Sequence, residues 1–225
     1  MKLLIVAATY SEIKALVEKA VIIEKIDEYF SRYTFEGKEF DILVTGIGMV
    51  STAYRLGRIL GNHKYDFAFN FGIAGSFDKT ISLGTVVNVD SDMISELGAE
   101  YGNEFLKFDQ LGMGANSMTR TIWTVKNNFE ICNPVLQQFP RVKGITVNTV
   151  HGNNDSIKNI CTIYNPDVET MEGAAFLAIC NAEKIKCAQV RAISNYVEER
   201  NKNNWEIEKA IKSLNKIAIR ILNTI

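Results

Sequence analysis

Short apolar runs that end in small or polar residues, each followed by a stretch of helical periodicity, recur along this chain and leave few architectures open to it. Residues 2–9 read KLLIVAAT and lead into a segment capped by Ser11, with Ile13, Leu16, Val17 and Ala20 on one stripe. FDILVTGIG (40–48) leads into a helix from about Ser51, with Ala53, Leu56, Ile59 and Leu60 apolar. FAFNFGIAG (67–75), GTVVNVDS (84–91), GITVNTV (144–150) and AQVRAIS (188–194) read as further strands. The alanine-rich stretch 171–182 reads as a buried helix. A last helix, capped by Asn203 or Asn204, carries Ile207, Ala210, Ile211, Leu214, Ile217, Ala218 and Ile221 at the 3.6-residue period. Strands alternating with helices imply a mainly parallel sheet with helices on both faces, and ligands at the carboxyl ends of its strands. Only three prolines occur and no Ser/Gly-rich linker interrupts the 225 residues, so residues 1–225 read as one domain.

Composition removes several classes of function. The formal net charge of −1 leaves no electrostatic footprint for nucleic acid or an anionic membrane. No apolar stretch approaches the roughly 20 residues a membrane span needs. The run from Leu3 to Ala8 is too short for a signal-peptide core and reads as a first strand. Cys132, Cys161, Cys180 and Cys187 form no CxxC pair, and His63 and His151 are the two histidines, so a metal site or a Cys/His nucleophile pair is poorly supported. Unpaired cysteines point to a reducing cytoplasm.

Chemistry can sit in three places. The turns Gly46-Ile47-Gly48 and Gly72-Ile73-Ala74-Gly75 follow apolar strands, where glycine either tightens packing or lets backbone approach a ligand. Neither has GxGxxG spacing, and no GxxxxGKS or GxxxxGKT phosphate loop is present. Glu12, one residue past the Ser11 cap, either complements a helix dipole or points into the cleft above the sheet. Glu172 enters an otherwise small and apolar helix, where burial without a partner is costly. Finally, the strand ending in Arg191-Ala192-Ile193 breaks abruptly into Ser194 and Asn195, either a turn or the place a substrate group is met. Residues 96–140 are the least readable, with Gly98, Gly102, Gly112 and Gly114 marking loops.

Glu12, the GIG turn at 46–48, NFGIAGSF at 70–77, ETMEGAAF at 169–176 and RAISN at 191–195 follow an order and spacing that resemble the nucleoside phosphorylase and nucleosidase superfamily over nearly the whole chain. The resemblance implies a three-layer αβα sandwich around a mainly parallel, partly barrel-like mixed sheet. Within the superfamily, RAISNYVEERNKNNW (191–205) and VNTVHGN (147–153) look like the futalosine hydrolases, which release hypoxanthine from futalosine on an alternative route to menaquinone. The methylthioadenosine/S-adenosylhomocysteine nucleosidases are the other near group, and an inactive purine-nucleoside sensor is a third reading.

The resemblance also distributes roles. Superfamily phosphorylases hold phosphate with an arginine just before the second glycine turn; here that position is Asn70, and a neutral amide cannot replace a bidentate guanidinium. Water is then the nucleophile and Glu12 its base. Glu172 takes the ribose hydroxyls and faces the developing ribosyl cation, with Met171 packed on the sugar. Ile73, Ala74, Gly75, Val150, His151 and Asn195 surround the base. The adenine-specific nucleosidases carry an aspartate where this chain has Asn195. An amide cannot protonate N7 but can donate to it, which suits a 6-oxopurine, unless a neighbour such as Glu198 supplies the acid. No cofactor or metal is implied, the partner is a small purine nucleoside, and relatives that assemble through their active-site face imply a homo-oligomer, a dimer or higher.

Overall fold

The computed structural model describes residues 1–112, 124–127 and 133–225. Strand β1 (Leu3–Ala7) is buried along its whole length, as an apolar run covered on both faces must be. Its side chains alternate between two cores. Leu3, Ile5 and Ala7 pack with Ile13, Leu16, Leu214 and Ile217, under helices α1 (Tyr10–Val17) and α5 (Ile207–Thr224). Leu4 and Val6 pack with Leu56, Leu60, Phe176 and Leu177, under α2 (Met49–Asn62) and α4 (Gly173–Ala182). Two cores on opposite faces of one sheet make a three-layer αβα sandwich.

The sheet also contains β2 (Val21–Lys25), β3 (Phe30–Phe35), β4 (Lys38–Val44), β5 (Phe67–Ser76), β6 (Val86–Met93), β9 (Thr124–Lys126), β10 (Arg141–Thr146), β11 (Val168–Thr170) and β12 (Lys186–Tyr196). Its order is β11-β10-β6-β12-β5-β1-β4-β3-β2, with β9 on β6. β1 runs parallel to both β4 and β5, and β5 parallel to β12, whereas β6 is antiparallel to β12. β11 then returns to pair antiparallel with β5, so that β5, β12, β6, β10 and β11 close on themselves. Ala74, Val87, Val89, Val142, Val168 and Ile193 form a further buried cluster on these strands. The mixed, partly barrel-like sheet is therefore present. β7 (Gly98–Tyr101) and β8 (Glu104–Lys107) form a separate hairpin, and helix α3 (Asn154–Tyr164) starts at Asn153, whose side chain accepts from the N–H groups of Asp155 and Ser156.

Several boundaries differ from the pattern in the sequence. Ser11 lies inside α1; Thr9 is the cap, because its N–H and hydroxyl both donate to Glu12 Oε2, at 2.9 and 3.0 Å. Neither Asn203 nor Asn204 caps α5. Both fall in a short 3₁₀ turn capped by Asn201, and α5 starts after Glu206, whose N–H is tied to the Ser194 carbonyl at 2.7 Å. The strand expected at 144–150 starts earlier and stops at Thr146, which leaves Val150 and His151 in the loop that follows. The helix expected from Met171 starts at Gly173, with Glu172 as its N-cap. Of the poorly readable region 96–140, residues 113–123 and 128–132, Cys132 among them, lie outside the described residues. Cys161, Cys180 and Cys187 are free. Among the described residues no helix is long and apolar enough to cross a membrane.

Candidate active site

A cavity of about 280 Å³ opens at the carboxyl ends of the central strands. Thr9 enters it from the cap of α1, Glu12 from the first turn of α1, and Ile73, Ala74 and Gly75 from β5. Ser194 and Asn195 enter from β12, Met171 and Glu172 from the junction of β11 with α4, and Val150 and His151 from the loop after β10. The fold thus brings Glu12 together with Met171, Glu172 and Asn195, all more than 150 residues further along the chain, and the cavity volume is near the lower end of the usual range for small-molecule sites.

The two carboxylates are held differently. Glu12 is 7% exposed. Its Oε2 belongs to the helix cap on Thr9, and its Oε1 accepts from the Ile73 N–H at 3.1 Å. One side chain therefore caps α1 and presents its remaining lone pairs to the cavity. Asn215 of α5 fixes the backbone here, accepting from Leu16 N–H at 2.9 Å and donating to the Glu12 carbonyl at 2.8 Å. Glu172 Oε1 accepts from the N–H of Gly48 at 3.0 Å; Gly48, at φ 97°, is the cap of α2, so the GIG turn aims a backbone donor at this carboxylate. Burial pushes Glu172 above the ordinary carboxylate range; Arg191 and the Gly48 N–H oppose that shift, and the nearby Glu12 charge adds to it.

Beneath both lies Arg191, fully buried in β12. Its Nε donates to Gln189 Oε1 at 3.0 Å, and one terminal nitrogen bonds Asn70 Oδ1. The other, Nη1, has no hydrogen-bond partner among the described residues. Gly72 makes room for it: a Cβ there would overlap Nη1 and stand 3.0 Å from Glu12 Oε1. Gln189 in turn donates to Asp92 Oδ2 at 3.0 Å, Thr146 donates to Asp92 Oδ1 at 2.8 Å, and burial pushes the Asp92 carboxyl up to about 6. Asn70 therefore faces the sheet, with its amide donating to the Val6 carbonyl at 3.2 Å, and serves Arg191 rather than the cavity.

Asn195 sits at a bulge. The β12–β5 register skips from Ile193 opposite Ala74 to Asn195 opposite Gly75, leaving Ser194 unpaired. Ser194 Oγ donates to Asn195 Oδ1 at 2.8 Å, and Asn195 Nδ2 donates to the Tyr196 carbonyl at 3.0 Å, so one amide hydrogen remains for a ligand. Glu198 does not supply an acid there. Lys79, at 2.9 Å, and Asn204 hold it on the surface and keep its carboxyl below the usual range.

Glu169, Arg191 and Trp205 belong to this neighbourhood but were not singled out in the sequence. Arg191 left a readable signal: an arginine inside AQVRAIS must find buried partners if that strand is central. Glu169 gave none, because its partner His151 is 18 residues away in another loop. Trp205 lines the cavity beside Ile207 and Ile211, with the Arg200 guanidinium 5.1 Å from its ring centroid.

Comparison with known proteins places this arrangement. The sequence model described as Phosphorylase superfamily matches residues 2–225. A futalosine hydrolase of Thermus thermophilus is 28% identical over 193 residues, 83% of each chain. A 5'-methylthioadenosine/S-adenosylhomocysteine nucleosidase of Maridesulfovibrio salexigens is 34% identical, but over 92 residues, 39% of each chain. The solved structure of a futalosine hydrolase mutant of Helicobacter pylori superposes with a TM-score of 0.83 over 100% of both chains at 14% identity.

Proposed function

Because the chain belongs to the phosphorylase superfamily, we propose that it is a futalosine hydrolase, releasing hypoxanthine from futalosine with water as the nucleophile. The observation that carries this reading is the pairing of two buried carboxylates, Glu12 and Glu172, in one cavity whose far wall offers the amide of Asn195 in place of an acid. The long match to a futalosine hydrolase supports the substrate, and residues 1–225 act as one domain in this reading.

Glycosidic cleavage separates charge: the C1′–N9 electron pair leaves with the purine and the ribosyl group becomes cationic. Glu172 accepts hydrogen bonds from the ribose hydroxyls and opposes that positive charge, while Met171 packs against the sugar. Glu12 takes the proton of the attacking water, whose oxygen bonds C1′. Arg191, with its spare nitrogen against Gly72, favours the charged form of Glu172 against the cost of burial. Ile73, Ala74, Gly75, Val150, His151 and Asn195 receive the base. The mechanism asks for no cofactor or metal. The enzyme works in the cytoplasm as a homo-oligomer, for which Ile47 at the cavity and Val50 and Tyr54 on α2, exposed by 62%, 80% and 67%, offer an apolar contact face.

Product identification tests the reading. Incubated with futalosine, inosine and methylthioadenosine in parallel, the enzyme should release hypoxanthine fastest from futalosine. Preferential adenine release from methylthioadenosine would favour the nucleosidase alternative, and binding without release the inactive sensor.

Asn195→Asp should shift selectivity toward adenine nucleosides. Unlike the amide, a carboxylic acid at this position can give its one proton to adenine N7. Ionised, the same group would set an acceptor against N7 of the 6-oxopurine, a mispairing that costs about 1–3 kcal/mol. The ratio of kcat/KM for futalosine to that for its 6-amino counterpart should fall roughly ten- to a hundredfold. An unchanged ratio would remove Asn195 from base recognition.

A further inference from the structure

Glu169 is 4% exposed, and among the described residues the hydrogen bonds its carboxylate accepts all come from one residue. His151 Nδ1 lies 2.7 Å from Glu169 Oε2, and the His151 backbone N–H lies 3.1 and 3.4 Å from the two carboxylate oxygens. A carboxylate this deeply buried is costly without strong donors, and the His151 imidazole, which can carry a proton on each ring nitrogen, is the side chain in contact with it. Ring and backbone together chelate the carboxylate, which fixes both the orientation of the imidazole and the proton on Nδ1. Phe77 holds the ring from the side, at 6.2 Å between centroids and 62° between planes. Nε2 is then the ring nitrogen left for a ligand, and His151 and Glu169 both line the cavity.

The pair stands at the same end as Asn195. A Cβ on Gly75 would meet Asn195 Nδ2 at 3.3 Å and Glu169 Cγ at 3.4 Å, so the two side chains flank one glycine. We propose that Glu169 and His151 form an ion pair that reads position 6 of the purine, with Glu169 positioning the imidazolium and its Nε2–H donating to O6 of a 6-oxopurine. This inference rests on the futalosine hydrolase reading for its substrate. An N–H donor meets the O6 acceptor of hypoxanthine but opposes the amino group of adenine. It also answers how the base leaves without an acid at Asn195. The C1′–N9 electron pair moves into the purine and spreads onto O6, where the imidazolium stabilises it; water gives its oxygen to C1′ and its proton to Glu12. The departing anion takes a proton from solvent after release.

The test compares Glu169→Gln and His151→Asn with the wild type, using futalosine and its 6-amino counterpart as substrates and calorimetric binding of hypoxanthine and adenine as a readout independent of turnover. In both variants the futalosine to 6-amino ratio of kcat/KM should fall about ten- to a hundredfold, with the loss carried by kcat as well as KM, and hypoxanthine should lose at least tenfold in affinity relative to adenine. The double variant should be no worse than His151→Asn alone, because Glu169 acts through the ring. Parallel losses for both bases, as a collapsed loop would give, or no loss, would overturn the proposal. If the wild type cleaves neither nucleoside while Glu169→Gln still weakens hypoxanthine selectively, the hydrolase reading fails and the base-reading pair stands. If one variant does not fold, the other decides.

Discussion

Glu12→Gln is expected to bind futalosine and hydrolyse it about 100- to 10,000-fold more slowly, the usual contribution of a general base. The structure sets what else the substitution does. Thr9 N–H and Ile73 N–H point at opposite oxygens of this carboxylate, so the amide nitrogen of glutamine must face one of them. That mispaired donor costs about 1–3 kcal/mol of stability, less than the roughly 5–15 kcal/mol that holds a typical domain folded. A lower Tm with an intact circular dichroism spectrum should therefore accompany the rate loss. A lost cap alone would lower Tm without slowing turnover of the folded fraction. If KM rises and kcat holds, Glu12 is a binding residue and the water has another base.

Glu172→Gln should reduce kcat by about 100- to 1,000-fold, the scale of removing one preorganised electrostatic group. Glutamine keeps an oxygen for the Gly48 N–H, and the neighbouring Met171 N–H also favours an oxygen at this site. Stability should not fall. The folded state raises the Glu172 pKa above its unfolded value, so ionising it costs stability as pH rises through the folded pKa, and an uncharged glutamine removes that cost. At neutral pH the variant should unfold at the same Tm or higher. The same shift marks the pH profile of the wild type. Its acid limb, where Glu172 must lose a proton, should lie above the ordinary carboxylate range of about 4.3, and Glu172→Gln should lose the part of that limb due to this group. Near-wild-type turnover by the folded variant would reduce Glu172 to a structural partner of the Gly48 N–H.

The parts of the fold legible in the sequence were those buried on both faces. LLIVA in β1 and the apolar runs of β5 and β12 have no other place in a small α/β protein. The edge hairpin of β2 and β3 escaped because β2 is exposed at every position, so Val21-Ile22-Ile23 shows no alternation. Cap positions slipped where several polar residues competed: Thr9 and Ser11 flank one helix start, and Asn201 drew Asn203 into a turn of its own. In the site, Glu12, Glu172 and Asn195 stood out because each interrupts an apolar pattern at a strand or helix end. Arg191 was hidden in a strand, and Glu169 in a three-residue strand whose partner is remote in sequence. Long-range pairs of this kind become visible only when the sheet closes.

Hydrolysis of futalosine itself is tested most directly by following hypoxanthine release while inorganic phosphate is varied from none to saturating. Asn70 is turned into the sheet as a partner of Arg191, so residue 70 itself offers no cation to a phosphate in the cavity. The expected result is stoichiometric hypoxanthine and a reducing sugar product, at a rate that phosphate does not change and without added metal or nucleotide. A rate that climbs with phosphate and yields a sugar 1-phosphate would contradict it, as would futalosine left intact.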